Sequence, residues 1–203
     1  MRENRDARIR TIVDAAVRIL AAKGYDNATL ADIADAAGVS RGLPHYYFKD
    51  KETLAIKALE THTAEMISSA VSKLNTGSVE ALVDSIANVY RHILQENPTF
   101  YTFLFEMWSA GRRSKRIGNM FRQSQDKVVA TFMKKLEGSL AKADALSKET
   151  IEILSRLIIA LTDGIAFQLV IRPEIVLQEY PVWPPFRHML LALLDDSKLE
   201  RRK

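Results

Sequence analysis

The chain of 203 residues contains no cysteine, which excludes disulfides, thiolate catalysis and any cysteine-based zinc site. Its opening residues, MRENRDARIR, are charged and lead into no apolar segment of the kind that marks a signal peptide. No apolar run approaches the ~18 residues expected of a membrane-crossing helix. These absences together predict a cytoplasmic protein with no membrane partner. An excess of one charge is also missing: 29 Lys and Arg stand against 25 Asp and Glu, for a net charge of +4 and a pI of 9.3. Over residues 1–51 there are nine basic and seven acidic side chains, so any affinity for nucleic acid rests on where the charges sit and not on their sum. The chain has no G-x-S-x-G and no phosphate-binding loop. Its four histidines, His45, His62, His92 and His188, fall in separate helical segments without metal-ligand spacing. No catalytic residue, metal site or cofactor is therefore assigned, and the chain is not read as an enzyme.

What is present is helical periodicity along nearly the whole length, with 47% hydrophobic residues to supply a core. Apolar residues recur at three- and four-residue spacing over about 6–23, ended by Gly24. Thr29 caps a short helix that carries Leu30, Ile33 and Ala34 inward, with Asp32 at its third position. Gly38 ends it, and Ser40 is expected to cap the next, over 41–47. Asp50 caps a long helix to about 74, with Glu52 in its first turn. Later helices are predicted over 79–96, 98–110, 117–140, 148–171 and 185–195, about nine in all. Pro173 and the YPVWPP run at 180–185 are breakers. The fold class is all-α, a three-helix helix-turn-helix head on a larger helical bundle. The boundary is placed at residues 50/51, dividing the chain into 1–50 and 51–203. No flexible linker separates the two, and a rigid helical connection can transmit a shift.

The segment TLADIADAAGVSRGLPHYYFKDKETL, residues 29–54, is the most informative. Small residues sit where two helices must cross, and polar, basic and aromatic residues crowd the second helix, the layout of a helix-turn-helix that enters a DNA groove. Thr29 offers a cap, and with it a hydroxyl and free N–H groups for a phosphate. Arg41 can fork onto a guanine edge or a phosphate. Gly42 lets the backbone approach closely, Leu43 offers apolar contact, and His45 can donate or accept at a base edge. Tyr46, Tyr47 and Lys51 suit phosphate oxygens. Phe48 reads as core, and Tyr47 can serve both roles.

The set Thr29, Ile33, Ala34, Ala37, Gly38, Val39, Ser40, Gly42, Tyr47, Phe48, Lys51, Glu52 and Leu54 resembles the N-terminal signature of the tetracycline-repressor (TetR) family. The resemblance spans residues 6–60 without gaps. It implies an all-helical head on a variable helical body that binds a ligand and dimerises. It further implies base contacts at Arg41, Gly42, Leu43 and His45, and mainly phosphate contacts at Thr29, Tyr46, Tyr47 and Lys51, with Ser40 in the same DNA-binding set. Pro44 and His45 depart from the family's usual residues. The segment around Asp163, Gly164 and Arg172 also resembles the bodies of choline–betaine-type repressors.

In the body, FYTFLFEMW at 100–108 holds four aromatics, Leu104 and Met107 before Trp108. With Tyr90, Phe121, Phe132 and Phe167 these residues read either as plain core or as the wall of a pocket for a small apolar or aromatic effector. The resemblance favours the pocket, comprising Tyr90, Phe100, Phe103, Leu104, Glu106, Met107, Trp108, Phe121, Phe132, Phe167 and Gln168. Glu106 could pair with a cationic ligand or face solvent. The helix over 148–171 is apolar nearly all round, and Ala160 and Gly164 permit close approach of another helix. It reads as a buried central helix or as half of a four-helix dimer interface. The resemblance favours a homodimer, with Leu154, Leu157, Ile158, Leu161, Ile165, Phe186, Met189, Leu190 and Leu193 as its contacts. The basic run Arg112, Arg113, Lys115 and Arg116 reads as a solvated loop. The function expected is a ligand-responsive transcriptional regulator, most simply a repressor that binds a palindromic double-stranded DNA operator as a dimer. The rival readings are a small-molecule sensor that acts through a protein partner, and an enzyme.

Overall fold

The computed structural model describes residues 2–140, 147–172 and 182–194. Among these there are nine helices and no strand: α1 Arg2–Lys23, α2 Leu30–Ala37, α3 Gly42–Tyr47, α4 Lys51–Lys73, α5 Val79–Glu96, α6 Pro98–Gly111, α7 Lys115–Leu140, α8 Lys148–Ile171 and α9 Trp183–Leu193. The all-α class and the helix order match the sequence expectation. The expected Pro173 breaker, residues 180 and 181 of the YPVWPP run and Asp195 at the end of the last helix lie outside the described residues.

Packing divides the chain into two compact units, Met1–Glu65 with Pro98–Gln125, and Met66–Asn97 with Asp126–Lys203. In the first, α1 packs against both α2 and α6. Ile12, Val13, Ala16 and Leu20 of α1 are buried with Ile33 and Ala34 of α2, and with Phe100, Phe103 and Met107 of α6. Leu54, Ala55, Ala58 and Leu59 bring the first half of α4 into the same core. The aromatic density of α6 is thus core packing in this unit.

The α6–α7 turn is closed by glycine. A Cβ added at Gly118 would lie 2.7 Å from the Gly111 carbonyl oxygen, a backbone atom that cannot swing aside. The turn is tied by Ser114 N–H donating to the Ala110 carbonyl at 2.9 Å and Gly118 N–H to the Ser114 carbonyl at 2.9 Å.

In the second unit α5 packs against α9. Ser78 caps α5 through its hydroxyl, which accepts from Ala81 N–H at 3.1 Å, and Ser147 caps α8 by accepting from Thr150 N–H at 3.1 Å. Leu82, Val83, Ile86 and Tyr90 of α5, Leu136 of α7, Leu154 and Ile158 of α8, and Phe186 and Leu190 of α9 are buried. The buried hydroxyls of Ser155 and Thr162 donate back to the Ile151 and Ile158 carbonyls, at 2.8 and 3.0 Å, so neither is left unsatisfied inside α8.

One expectation is corrected here. At 24 residues and a mean hydropathy of 1.7, α8 is long and apolar enough to cross a membrane by length and composition, although only 33% of that stretch is buried. Arg156 and Asp163 interrupt the apolar run in the sequence and conceal its average.

Gly118→Ala is expected to lower the unfolding free energy by about 1–3 kcal/mol through backbone overpacking, measurable by urea denaturation.

Candidate nucleic-acid interface and effector cavity

The helix-turn-helix is built by local chemistry that can be followed residue by residue. Thr29 forms a reciprocal capping box: its hydroxyl accepts from Asp32 N–H at 3.1 Å, and the Asp32 carboxylate accepts from Thr29 N–H at 2.9 Å. The Lys23 ammonium, 2.6 Å from the same carboxylate, and the Thr29 hydroxyl hold the Asp32 pKa down at about 2. A depressed pKa contributes stability that is complete above the ordinary value of 3.8 and lost as pH falls through about 2. Gly38 then turns the chain in the left-handed region, φ +66°. Its N–H donates to the Asp35 carbonyl at 3.2 Å and that of Val39 to the Ala34 carbonyl at 3.1 Å, which closes α2 as a Schellman-type cap.

The second helix begins one residue later than expected. Arg41 occupies the cap position with helical backbone and no side-chain cap bond, so Ser40 does not cap through its hydroxyl; its carbonyl instead accepts from Leu43 N–H at 2.9 Å. Pro44 is the third residue of α3, inside the first turn where an N–H has no intrahelical acceptor, and it is buried beneath the helix. The departure from the family pattern at Pro44 therefore costs α3 no hydrogen bond.

The outward face of α3 carries His45 and Tyr46, both exposed, Tyr46 at 80%. The Tyr46 and Tyr47 rings meet edge to face, centroids 5.1 Å apart. Phe48 is buried, as expected of a core residue. Arg41 is exposed and forks onto Asp35 of α2, Nε to Oδ1 at 3.2 Å and an η nitrogen to Oδ2 at 3.0 Å, a pairing that raises its already high pKa. An exposed pair of this kind contributes little stability, and phosphate or a guanine edge can replace Asp35 at small cost.

Lys51 stands apart from the other members of the expected DNA-binding set. Its ammonium donates to three backbone carbonyls, of Tyr25 at 2.5 Å, Ala28 at 2.8 Å and Asp26 at 3.2 Å, and lies 4.6 Å from the centre of the Tyr25 ring. All three donor positions of the ammonium are thereby used, and burial lowers its pKa from the ordinary lysine value. The side chain fastens the α1–α2 turn and is not free for a phosphate.

Other residues converge on the same turn and on the adjoining first turn of α4, a role that local spacing in the sequence does not reveal. The Glu106 carboxylate of α6 accepts from Tyr25 N–H at 3.2 Å, and Arg113 pairs with Asp26 at 2.7 Å. Arg116 pairs with Glu52 at 2.6 Å and donates to the Thr53 hydroxyl at 3.1 Å, while the Ser114 hydroxyl also bonds Glu52. The basic run is therefore partly committed to ion pairs and not a uniformly solvated loop. Its charges were visible in the sequence, but their carboxylate partners lie some 60 to 90 positions away.

The second unit contains a narrow apolar cavity. It is lined by Met66, Ile67, Ala70 and Val71 of α4, Leu74 just beyond its end, Tyr90 and Ile93 of α5, and Val128, Thr131 and Phe132 of α7. The space open to the centre of a water molecule is about 20 Å³, room for one or two waters. Of the eleven residues expected to form a pocket, Tyr90 and Phe132 line it. Phe100, Phe103, Leu104 and Met107 are buried in the core of the first unit, and Glu106 binds the backbone there as described above. Phe121 is half-buried, while Trp108, Phe167 and Gln168 are exposed. The α4 contribution was missed, although residues 66, 67, 70, 71 and 74 recur on one helical face. Burial pushes the Tyr90 phenol well above its ordinary pKa, while the Thr162 hydroxyl works in the opposite direction. Near Tyr90 on α8, burial pushes the Asp163 carboxyl up to about 6.

The face expected to make a dimer is also redistributed. Leu154, Ile158, Phe186 and Leu190 are buried within the chain's own core, and so cannot themselves form an outer contact surface. Leu161, Ile165 and Leu193 are half-buried, and Leu157 and Met189 are exposed. The exposed residues of α8 include Ile153, Leu157, Ala160, Gly164, Phe167 and Ile171, an alternating four- and three-residue spacing that forms one stripe.

An all-α chain that presents a short polar and aromatic helix from a capped helix-turn-helix belongs to the class of DNA-binding transcription regulators. Residues 12–58 match the model of bacterial regulatory proteins of the tetR family, and residues 80–179 match the C-terminal model of BetI-type transcriptional repressors. The chain belongs to the TetR family and has a BetI-like C-terminal part. It is 25% identical over 141 residues to the HTH-type transcriptional regulator BetI of Cronobacter sakazakii, covering 68% of this chain and 70% of that one. In fold it resembles a transcriptional regulator from Pseudomonas aeruginosa PAO1, at TM-score 0.79 and 18% identity, over 97% of this chain and 94% of that one. It also resembles FadR from Bacillus subtilis, solved in complex with stearoyl-CoA, at TM-score 0.72 and 16% identity, over 92% and 98%.

Lys51→Met is expected to destabilise the protein by about 1–3 kcal/mol, because three partly buried carbonyls lose their donor. In the folded variant the slope of log K against log salt for DNA binding should be unchanged; a slope about one unit shallower would return Lys51 to the phosphate contacts.

Proposed function

We propose that this TetR-family regulator is a ligand-responsive repressor that binds a palindromic operator as a homodimer in the cytoplasm, and that it has no catalytic role. The observation that carries the dimer is the α8 stripe. Six exposed small or apolar residues at heptad spacing make a seam suited to a second helix, and a solvated helix face has no reason to be so apolar. Ala160 and Gly164 at its centre allow two backbones to approach closely, and a Cβ at Gly164 meets nothing within the chain. Met189 of α9 is likewise exposed. Two copies paired through α8 and α9 make a four-helix interface.

In this reading residues 1–50 are the DNA-binding domain and 51–203 the effector and dimerisation domain. Each recognition helix enters a major groove, the two about 34–36 Å apart. Arg41, Gly42, Leu43 and His45 read bases. Thr29, Tyr46, Tyr47 and the α3 entry at Ser40 hold phosphates.

The effector is small and uncharged over most of its surface. Aliphatic side chains dominate the cavity, with only the Tyr90 phenol and the Thr131 hydroxyl to orient a ligand. A cavity of this size must widen to admit such a molecule, so the effector selects a body conformation different from this one. The long-chain acyl ligand carried by the structurally similar FadR is consistent with an aliphatic effector. Release from DNA is limited by the effector's differential affinity for the two conformations.

One experiment compares three proteins on DNA flanking the gene. The wild type is expected to bind as a dimer. Arg41→Ala with Tyr47→Phe should lose specific binding and keep its helicity and dimer mass. Leu157→Glu with Gly164→Glu should sediment as a monomer and bind operator more than about tenfold more weakly. Specific binding retained by the α3 variant, or a dimer retained by the α8 variant, contradicts the corresponding assignment.

A further inference from the structure

Outside the cavity, the seam between α5 and α9 contains two buried hydrogen-bond donors with no acceptor among the described residues, Arg91 Nε and Trp183 Nε1. They belong to one local group: the Arg91 guanidinium carbon lies 5.2 Å from the centre of the Trp183 ring. Trp183 is only 7% exposed, and its ring is held edge to face against Phe186, centroids 5.8 Å apart. Buried donors of this kind are nearly always satisfied in folded proteins, and a pair of them side by side calls for an acceptor.

The charges along the seam point the same way. Arg187 of α9 has its carboxylate, Asp84 of α5, at 2.5 and 3.3 Å. Seven residues further along α5, Arg91 has none. The positions one helical turn away from it are Ala87, Asn88, Leu94 and Gln95, and among the described residues no carboxylate pairs with it. Two guanidinium groups therefore share the seam with one paired carboxylate. A cation–π contact with the Trp183 ring holds the Arg91 guanidinium at this place in the seam.

We propose that Arg91 and Trp183 form a binding site for a small organic monocarboxylate, separate from the apolar cavity and independent of the effector assigned to it. A carboxylate presents two acceptor oxygens to the two unfilled donors, and its single negative charge matches the positive charge of Arg91, with which no carboxylate pairs among the described residues. The aromatic edge of Trp183 and Phe186 favours an apolar substituent on the acid. A dianionic phosphate would leave one charge uncompensated against that edge. Because the site bridges α5 and α9, the acid would bind and brace their contact.

The chain has two tryptophans, so Trp108→Phe, at an exposed position, leaves Trp183 as the only indole. In that protein the indole N–H proton resonance is followed while sodium acetate or sodium hexanoate is added at constant ionic strength. The expected result is a saturating downfield shift with a dissociation constant of about 1–10 mM, tighter for hexanoate than for acetate. Sodium chloride should give no saturating shift, and sodium phosphate a weaker one. Adding Arg91→Gln should weaken acetate binding at least tenfold. Arg91→Lys, which keeps the charge and loses the Nε donor, should weaken it by a smaller factor and serves as the arm if the Gln variant does not fold. The absence of a saturating shift, an equal shift with chloride, tighter binding of phosphate, or undiminished binding in a folded Arg91 variant would overturn the assignment.

Discussion

The α1–α2 turn is the point on which the DNA-reading half of this protein depends. Between Lys23 and Leu30 the backbone leaves helical geometry, and its carbonyls at Tyr25, Asp26 and Ala28 find their donor in a single ammonium, that of Lys51. Backbone acceptors in a partly buried turn must be satisfied, and a lysine that reaches three of them at once sets the start of α4 against the start of α2. Glu106 fixes the N–H of Tyr25 from α6, and Arg113 holds the side chain of Asp26. With the turn held from these sides, Thr29 stands where its capping box can form, and α2 presents Asp35 to Arg41. The orientation of α3 thus rests on residues that need not touch DNA.

This arrangement explains why two charged residues look functional in the sequence and are structural in the fold. Lys51 carries a positive charge next to a recognition helix, and Glu106 carries a negative one in an aromatic stretch; both are natural choices for binding a ligand. Each is instead spent on backbone groups many residues distant. Side-chain type and local spacing cannot reveal that demand, because the carbonyls and N–H that create it become neighbours only after folding.

Where local chemistry decides the outcome, the sequence is more transparent. The bounds of α5 and α8 follow from serine caps and from the end of apolar periodicity, and Thr29 with Asp32 marks the start of α2. The start of α3 is less legible. A six-residue helix has too few internal hydrogen bonds to define its own first turn, so Arg41 is left at the cap position, paired with Asp35, and the helix proper starts at Gly42. The body is harder still. Helix α8 is apolar on two sides, and the sequence does not say which side its own core takes. Leu154 and Ile158 went inward, and Ile153 and Leu157 stayed out. In the same way, the aromatics of α6 pack against α1, and the plainer aliphatic face of α4 lines the cavity.

The central claim is that two copies of α3, held by these constraints, read a symmetric DNA site. A nuclease footprint on the DNA flanking the protein's own gene tests it most directly. The account predicts two protected half-sites of inverted sequence, centred about 10 base pairs or a multiple of that apart, with protection that weakens steeply as salt is raised. Protection of a single half-site, or binding that ignores both sequence and salt, would contradict it.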